Sequence, residues 1–295
     1  MKNIPVLAVS AAGLAEAYEK ALISLYEGGV KIPTQYDKPG DPPSIDATVN
    51  ITVEDPWTDP MIHKAFPGGI EDLREYLLEL LGRKDHWVRF RDDPADTRWE
   101  YTYHQRLADW GTWRQTAAQN AGIPGTGVNQ IAAVVENLAA HPETRRAQMI
   151  TWMPAMDAAA YDPPCLQSLW YRLLEEGDAL YLNCNVRFRS NDAWGASFMN
   201  MFGFIHFNRI QVADALQART GCRVELGRMN WQADSYHLYG KDQKDFRERF
   251  WNRLGKTAFA DRVYRFFDPQ IQEMWKEAEH AALKKIADYD GRAAE

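Results

Sequence analysis

Residues 179–188 alternate apolar and polar side chains, and this pattern restricts the fold more than any other part of the sequence. Successive side chains of a strand point to opposite faces, so the segment is predicted to be a strand with one face in the core. The side chains predicted to face the core are Leu180, Leu182, Cys184, Val186 and Phe188. A sheet of such strands needs helices on one face only, which favours an α+β fold.

The rest of the chain supplies the helices that such a sheet requires. Apolar residues at helical spacing predict helices at 70–81 and 198–217, and a further strand is predicted at 222–232. Apolar residues make up 45% of the 295 residues, which is enough for a large core. Because no repeat, low-complexity tract or linker interrupts the chain, we expect residues 1–295 to form a single domain.

Charge, hydropathy and cysteine content exclude several classes of protein. The net charge of −7 argues against a nucleic-acid surface, and no segment approaches the roughly 18 consecutive apolar residues of a membrane span. The N-terminal segment turns acidic too early for a signal peptide. The three cysteines lack CxxC spacing, so neither a disulfide framework nor a metal site is predicted. We therefore expect a cytoplasmic protein with reduced thiols and no membrane or nucleic-acid partner.

Cys165 follows two prolines and is the first candidate for chemistry. On its own, a cysteine in this setting is more often a small buried apolar residue than a nucleophile. Its sequence context changes this interpretation, because RSND follows at 189–192, HLY at 237–239, and an arginine pair precedes it at 145–146. Cationic neighbours lower the pKa of a thiol, so a nucleophilic thiolate is physically reasonable here.

The order of these motifs resembles that of the thymidylate synthase and pyrimidine nucleotide hydroxymethylase superfamily. The family pattern runs from an Arg-Arg pair to Pro-Cys, then Arg-Ser-x-Asp, an Asn eight residues later, and His-x-Tyr; every part is present here in that order. The match covers about residues 70–242, and the PPCL and FRSxDxW segments look most like the archaeal-type branch. Any single motif is weak, whereas the ordered set is specific.

This resemblance implies a thymidylate synthase-like fold, with a mixed sheet that bears helices on one face and forms a homodimer interface with the other. It also implies transfer of a one-carbon unit from 5,10-methylenetetrahydrofolate to C5 of a pyrimidine nucleoside 5′-monophosphate, through a covalent adduct of Cys165 with C6. In the family, arginines of both subunits hold the phosphate. Arg189 and Ser190 would come from the subunit that carries the cysteine, and Arg145 and Arg146 from its partner.

The resemblance also assigns residues to the base, the sugar and the folate. Asn200 matches the family's base reader, whose amide can accept from N3–H and donate to O4 of uracil, while cytosine presents the reverse pattern. His237 and Tyr239 match the pair on the sugar 3′-hydroxyl, and Asp192 matches a carboxylate on the folate side. Without the resemblance, the asparagine would more often be a structural hydrogen bonder, and the histidine and tyrosine would be surface residues.

The general acid/base is placed by spacing alone, so alternatives remain. The family carries a glutamate seven residues before the glycine that ends its helix, which selects Glu75 before Gly82. Glu79, one turn later on the same helical face, is the alternative, and both glutamates could be surface carboxylates. We place the residue that helps to remove the C5 proton at Tyr103, with Tyr101 as the alternative.

The sequence departs from the family at several positions, and the departure in the C-terminal tail bears on the product. Leu166 replaces a histidine, Phe188 replaces a glutamine next to the phosphate site, and residues 290–295 do not match the apolar tail that closes over the ligands. Since that tail excludes water, its loss would favour a hydroxymethyl product. Asn200 points instead to uracil, and hence to methylation of dUMP, which we favour. The alternatives are hydroxymethylation of dCMP, CMP or dUMP, and a non-catalytic nucleotide-binding protein of the same fold.

Overall fold

The computed structural model describes residues 2–88, 97–110 and 127–293, except for the side chains of 291–293. In chain order the strands are β1 (Val6–Ala11), β2 (Val30–Ile32), β3 (Ser44–Val53), β4 (Ile62–His63), β5 (Gln148–Ile150), β6 (Leu166–Glu176), β7 (Ala179–Phe188), β8 (Asn191–Asp192), β9 (Arg223–Leu238) and β10 (Val263–Tyr264). The α-helices are α1 (Leu14–Gly28), α2 (Ile70–Leu80), α3 (Tyr103–Ala108), α4 (Gln130–Ala140), α5 (Pro154–Asp157), α6 (Ser197–Phe207), α7 (Asp214–Thr220), α8 (Gln243–Arg249) and α9 (Pro269–Ala293).

Eight of these strands form one mixed sheet. Six lie side by side in the order β1-β3-β9-β7-β6-β5, while β2 pairs with β3 and β8 pairs with β9. Strand β7 is antiparallel to β6 and parallel to β9. The start of β6 therefore lies beside the end of β7, and β9 runs on past the same edge to pair with β8.

The predicted alternation at 179–188 and the predicted α+β class are both confirmed. Leu182, Cys184, Val186 and Phe188 are at most 2% exposed, whereas Arg187 on the opposite face is exposed. Helix α1 packs against β1 and β3, and the apolar side chains of these elements belong to one continuous core. Burial of one sheet face under helices is what the period-2 pattern requires.

Two predicted elements differ in extent from the observed ones. The helix predicted at 198–217 is interrupted, because the π-helical turn Asn208–Ala213 separates α6 from α7. The strand predicted at 222–232 runs on to Leu238. Its last residues alternate less clearly in the sequence, but they pair with β3 and β8, and these hydrogen bonds extend the strand.

Helix α2 brings one edge of the site into place because it packs closely against α6 and α9. At the crossing with α6, a Cβ atom on Gly203 would lie 2.7 Å from Leu80 Cδ1 and 2.8 Å from Tyr76 Cδ1. Glycine at this position therefore lets the Tyr76 ring lie directly against α6.

The second face of the sheet is polar and half-buried, with Asn50 on β3, Asn185 on β7 and Asn230 on β9. That this face forms a homodimer interface stays a prediction. Among the described residues, no helix is both long enough and apolar enough to cross a membrane.

Candidate active site

The strand order brings together segments that are distant in the sequence. Cys165 immediately precedes β6, Arg189 and Ser190 follow β7, and His237 lies near the end of β9. Backbone hydrogen bonds join these segments, since Arg189 N–H donates to the Cys165 carbonyl at 2.9 Å and Ser235 N–H donates to the Arg189 carbonyl at 3.2 Å. The predicted cysteine and RSND motifs therefore meet at one edge of the sheet.

A cavity of about 460 Å³ opens at this edge. It is lined by most of the residues that the sequence singled out, which are Glu79, Tyr101, Tyr103, Cys165, Ser190, Asp192, Asn200, His237 and Tyr239. Its size suits a small organic ligand, and apolar walls carrying a few convergent polar groups are typical of such sites.

The Cys165 thiol is half-buried in this cavity. Burial raises its pKa, the charge of Arg189 opposes that rise, and the nearby carboxylate of Asp162 adds to it. The Arg189 side chain donates from Nε to the Pro164 carbonyl at 3.0 Å and from Nη2 to the Pro163 carbonyl at 2.6 Å. This arginine thus both positions the loop before the cysteine and favours the thiolate.

Asn200 projects from α6 and is only 7% exposed. Its Nδ2 donates to the Tyr76 hydroxyl at 2.7 Å, and its Oδ1 accepts from Asn191 Nδ2 at 3.0 Å. Asn191 Oδ1 in turn accepts from Trp231 Nε1 at 3.1 Å. A chain of hydrogen bonds therefore holds the amide of Asn200 at the cavity wall.

The His237 ring lies at the wall of the same cavity and is 5% exposed. Its Nδ1 faces the Ser235 hydroxyl at 3.2 Å, while Nε2 is buried and bonds to no residue that the structure describes. The Tyr239 ring contacts the histidine at 4.5 Å between centroids, and burial raises the pKa of this tyrosine to about 12. Nε2 and the tyrosine hydroxyl are thus a pair of polar groups suited to a ligand hydroxyl.

Asp192 caps the turn that leads into α6. Its Oδ1 accepts from the backbone N–H groups of Trp194 at 3.0 Å and Gly195 at 2.9 Å. A Cβ atom on Gly195 would lie 2.5 Å from Asp192 Oδ2, so a larger residue here would displace the Asp192 carboxylate. The carboxylate therefore fixes a loop that borders two cavities, the one described above and a second.

The second cavity measures about 450 Å³ and shares Tyr76, Glu79, Trp99 and Ala196 with the first. Five of its fifteen lining residues are aromatic, and Lys84 and Lys285 bring positive charge to it alongside three acidic side chains. An aromatic surface next to cations fits a flat heterocycle that carries carboxylates.

Only one of the two candidate glutamates reaches the Cys165 cavity. Glu79 lies where the two cavities meet, and burial raises its pKa to about 7, with the charge of Lys84 opposing the rise. Glu75 lines only the second cavity and pairs with Lys84 at 2.8 Å and Lys285 at 2.9 Å. The structure therefore does not bring Glu75 to the cysteine, although spacing had favoured it.

The two candidate tyrosines both line the Cys165 cavity, with ring centroids 5.7 Å apart. Burial raises the pKa of each hydroxyl, so both are neutral hydrogen-bonding groups near pH 7. Geometry does not separate Tyr101 from Tyr103.

Arg145 and Arg146 are exposed and lie outside the residues that line the cavity. The Arg145 carbonyl accepts from Trp170 Nε1 at 3.0 Å, which attaches this loop to β6. Within one chain, the pair is therefore available to a neighbouring molecule.

Sequence reasoning missed six residues that line the cavity: Tyr76, Trp99, Glu100, Asp162, Asn191 and Ala196. One of them carried a signal, because Asn191 is the variable position inside the RSxD motif. Tyr76 follows a candidate glutamate on α2, but nothing in the helical pattern distinguishes it from a core tyrosine.

Comparison with known proteins shows which family the chain resembles. A sequence model of the family described as "Thymidylate synthase" matches residues 79–272. A curated protein named "Putative thymidylate synthase" from Methanosarcina barkeri is 28% identical over 192 residues, 65% of this chain and 72% of the relative. A protein of the same name from Methanocaldococcus jannaschii is 25% identical over 254 residues, 83% of this chain and 96% of the relative. The solved structure of thermostable thymidylate synthase A from Bacillus subtilis has a TM-score of 0.55 at 17% identity, covering 80% of this chain and 83% of that one.

Proposed function

The chain belongs to the thymidylate synthase family, and from this premise we propose that it methylates dUMP at C5 through a covalent bond between Cys165 and C6. One observation carries the proposal most directly. The cavity that holds the thiol also presents the buried amide of Asn200 and the buried Nε2 of His237. A nucleophile, a base-reading amide and a sugar-binding group are the three functions that a nucleotide substrate needs in one place.

Cys165 would attack C6 as the thiolate and leave C5 nucleophilic. Since burial raises the thiol pKa, ionisation depends on positive charge nearby, and Arg189 is the group that opposes the effect of burial. Arg189 and Ser190 would also hold the 5′-phosphate in this proposal. A bound phosphate dianion would then share the arginine with the loop carbonyls that it contacts here.

Asn200 would read the base, because its Oδ1 can accept from N3–H and its Nδ2 can donate to O4. His237 Nε2 and the Tyr239 hydroxyl would bind the sugar 3′-hydroxyl. Both residues line the cavity on the side that β9 supplies.

Glu79 would be the general acid/base, in place of Glu75. A carboxyl with a pKa of about 7 can both give and take a proton near neutral pH. Because it lines both cavities, it would lie beside both the pyrimidine and the one-carbon donor. Tyr103 or Tyr101 would assist removal of the C5 proton.

The second cavity would hold 5,10-methylenetetrahydrofolate, which supplies the one-carbon unit when bound. Trp194 and Phe198 offer surfaces for the pterin and aminobenzoyl rings, and Lys84 and Lys285 offer charge for the glutamate tail. Asp192 lines the Cys165 cavity and holds the backbone of Trp194, which lines the second cavity, so it would shape the folate side from the border between the two.

Product analysis tests the proposed function. The protein, with 5,10-methylenetetrahydrofolate and each of UMP, dUMP, CMP and dCMP, is expected to yield dTMP and dihydrofolate from dUMP. Formation of a hydroxymethyl nucleotide together with tetrahydrofolate would show that the reaction is hydroxymethylation instead of methylation. Binding without turnover would support a non-catalytic nucleotide-binding protein and overturn the proposal.

The nucleophile is tested in the same assay. Cys165→Ser is expected to keep nucleotide binding and to lose turnover by a factor of about 1000 or more, because a serine without an adjacent base is a poor nucleophile. The exposed Cys222 supplies the matched control, and Cys222→Ser should retain full activity. Mass spectrometry with 5-fluoro-dUMP and 5,10-methylenetetrahydrofolate should show an adduct in the wild type and none in Cys165→Ser; an adduct in both would place the nucleophile elsewhere.

We also propose a homodimer in which Arg145 and Arg146 of each chain bind the phosphate beside the partner's cysteine. Cys165→Ala and the double variant Arg145→Glu/Arg146→Glu should each be inactive as homodimers. After subunit exchange, one site of each heterodimer is intact, so activity should recover to about a quarter of the wild-type value per chain. No recovery despite measured exchange would remove these arginines from a shared site.

A further inference from the structure

We propose that Trp231, acting through Asn191, fixes the orientation of the Asn200 amide and thereby sets a preference for uracil over cytosine nucleotides. This inference rests on the proposed function and identifies two positioning residues behind its specificity. The observation that carries it is the buried chain of hydrogen bonds from Trp231 to Asn191, Asn200 and Tyr76.

An asparagine by itself discriminates poorly between the two bases. Rotation of the side-chain amide by a half turn exchanges its oxygen and nitrogen, and the two forms have nearly the same shape. One form accepts from N3–H and donates to O4 of uracil, and the other donates to N3 and accepts from N4–H of cytosine. Selectivity at Asn200 therefore requires a neighbour that makes one form costly.

Of the four residues in this series of hydrogen bonds, Trp231 is the one that cannot exchange its donor role for an acceptor role. Its indole Nε1 only donates, and the side chain is fully buried, so the atom of Asn191 that faces it at 3.1 Å must be the acceptor Oδ1. Asn191, itself 3% exposed, then presents Nδ2 to Asn200 at 3.0 Å. The Asn200 atom at that contact must accept, which places its Oδ1 there and its Nδ2 towards Tyr76.

Tyr76 does not select an orientation, because a phenol hydroxyl can either accept or donate. It accepts from Asn200 Nδ2 at 2.7 Å here, and it could equally donate to an oxygen at the same position. Turning Asn200 alone would place two amide nitrogens face to face, and turning Asn191 as well would leave the indole N–H facing another donor. A buried donor without an acceptor costs about 1–3 kcal/mol, which is about 5-fold to 150-fold in the ratio of affinities.

The test removes the orientation signal and measures the ratio of affinities. Trp231→Phe deletes the indole N–H, and Asn191→Leu deletes the link to Asn200. Calorimetry of dUMP and dCMP binding, with UMP and CMP in parallel, is expected to show a wild-type preference for uracil that falls about tenfold in each variant. A purely structural role would weaken both nucleotides equally and leave the ratio unchanged.

Two matched controls measure the effect of core substitution alone. Asn208→Leu replaces another buried asparagine, which accepts from Tyr171, and Trp275→Phe replaces another buried tryptophan; neither residue is among those that line the two cavities described above. Both controls should keep the wild-type ratio. Neutron diffraction from the wild-type protein, which distinguishes amide nitrogen from oxygen, gives the orientation without any variant.

The outcomes separate the two proposals. Suppose that the wild type binds the nucleotides. If Trp231→Phe and Asn191→Leu then keep the wild-type ratio of affinities, or a neutron map shows the Asn200 amide turned, the orienting role is overturned and the proposed function stands. A wild type that binds none of the four nucleotides would overturn the proposed function and the orienting role together.

Discussion

Glu75 and Glu79 lie one turn apart on α2, and their surroundings drive their pKa values in opposite directions. Burial raises the pKa of Glu79 to about 7. Burial would also raise that of Glu75, but hydrogen bonds and charges from Lys84 and Lys285 lower it below its ordinary value. Both residues are glutamates on one face of the same helix, so neither residue type nor helical position explains the difference. The opposite pKa shifts come from how deeply each carboxyl is buried and from the charges that reach it.

The two cavities also differ in the ionisable groups that line them. The Cys165 cavity holds Glu79, whose raised pKa lets it exchange a proton near pH 7, together with polar side chains and three further carboxyl groups. The second cavity carries an ionised cluster of Glu75, Lys84 and Lys285, which suits recognition of a charged ligand. Three experiments test whether this division of roles is real.

The largest effect is expected on turnover. Glu79→Gln should lower kcat by about 100-fold or more, because it removes a group that can exchange a proton. Glu75→Gln should lower kcat by less than about tenfold and act chiefly on the KM for folate, since Glu75 does not line the Cys165 cavity. Steady-state kinetics with both substrates measure this difference.

The exposed Glu71 on the same helix provides the control, and Glu71→Gln should behave as wild type. The wild-type profile of kcat/KM should bend near pH 7, and this bend should be absent in Glu79→Gln. Equal losses of kcat in Glu79→Gln and Glu75→Gln would contradict the different roles proposed for the two glutamates.

The next effect is expected on the pH dependence of stability. The pKa of Glu79 is raised to about 7 in the folded state, so its contribution to stability is present below its unfolded pKa and is lost as the pH rises through 7. Between pH 4 and pH 8, Glu79→Gln should therefore gain about 3 kcal/mol of unfolding free energy relative to wild type.

Glu75→Gln should show the opposite trend. Because the folded-state pKa of Glu75 is lowered, its stabilising contribution exists above the unfolded pKa and disappears as the pH falls. The variant should be less stable than wild type at pH 7 and nearly equal to it at pH 3. Urea unfolding at a series of pH values measures both curves, and parallel curves would contradict the opposite pKa shifts.

The smallest expected effect is the difference in stability between variants of Lys84 and Lys285. Lys84 is buried, with 4% of its side chain exposed, whereas the Lys285 side chain is 66% exposed. Lys84→Met should cost about 1–3 kcal/mol of unfolding free energy, since it leaves a half-buried carboxylate without its nearer partner. It should also move the bend near pH 7 upward, because the charge of Lys84 lowers the pKa of Glu79.

Lys285→Met is the matched variant on the same carboxylate. An exposed ion pair contributes about 0–1 kcal/mol, so its loss should change stability little and leave the bend in place. A larger effect from Lys285 than from Lys84 would mean that the exposed lysine controls the cluster.

Much of the fold was predictable because it depends on local pattern. The alternation at 179–188 predicted a strand with one buried face, and the observed β7 has that face. The helix predicted at 70–81 differs from α2 by a single residue at its end. The extension of β9 to Leu238 was not predictable, because it depends on pairing with β3 and β8, which lie far away in the sequence.

By itself, the sequence indicated the family and the candidates for nucleophile and base reader, Cys165 and Asn200, because ordered motifs keep their spacing whatever the details of packing. Only the tertiary structure favoured Glu79 over Glu75 and linked Asn200 to Trp231. Helical spacing places both glutamates on one face, but it carries no information about Lys285, which reaches Glu75 from 210 positions along the chain. Likewise, the polarity of an amide depends on its hydrogen-bond partners, and folding decides which partners those are.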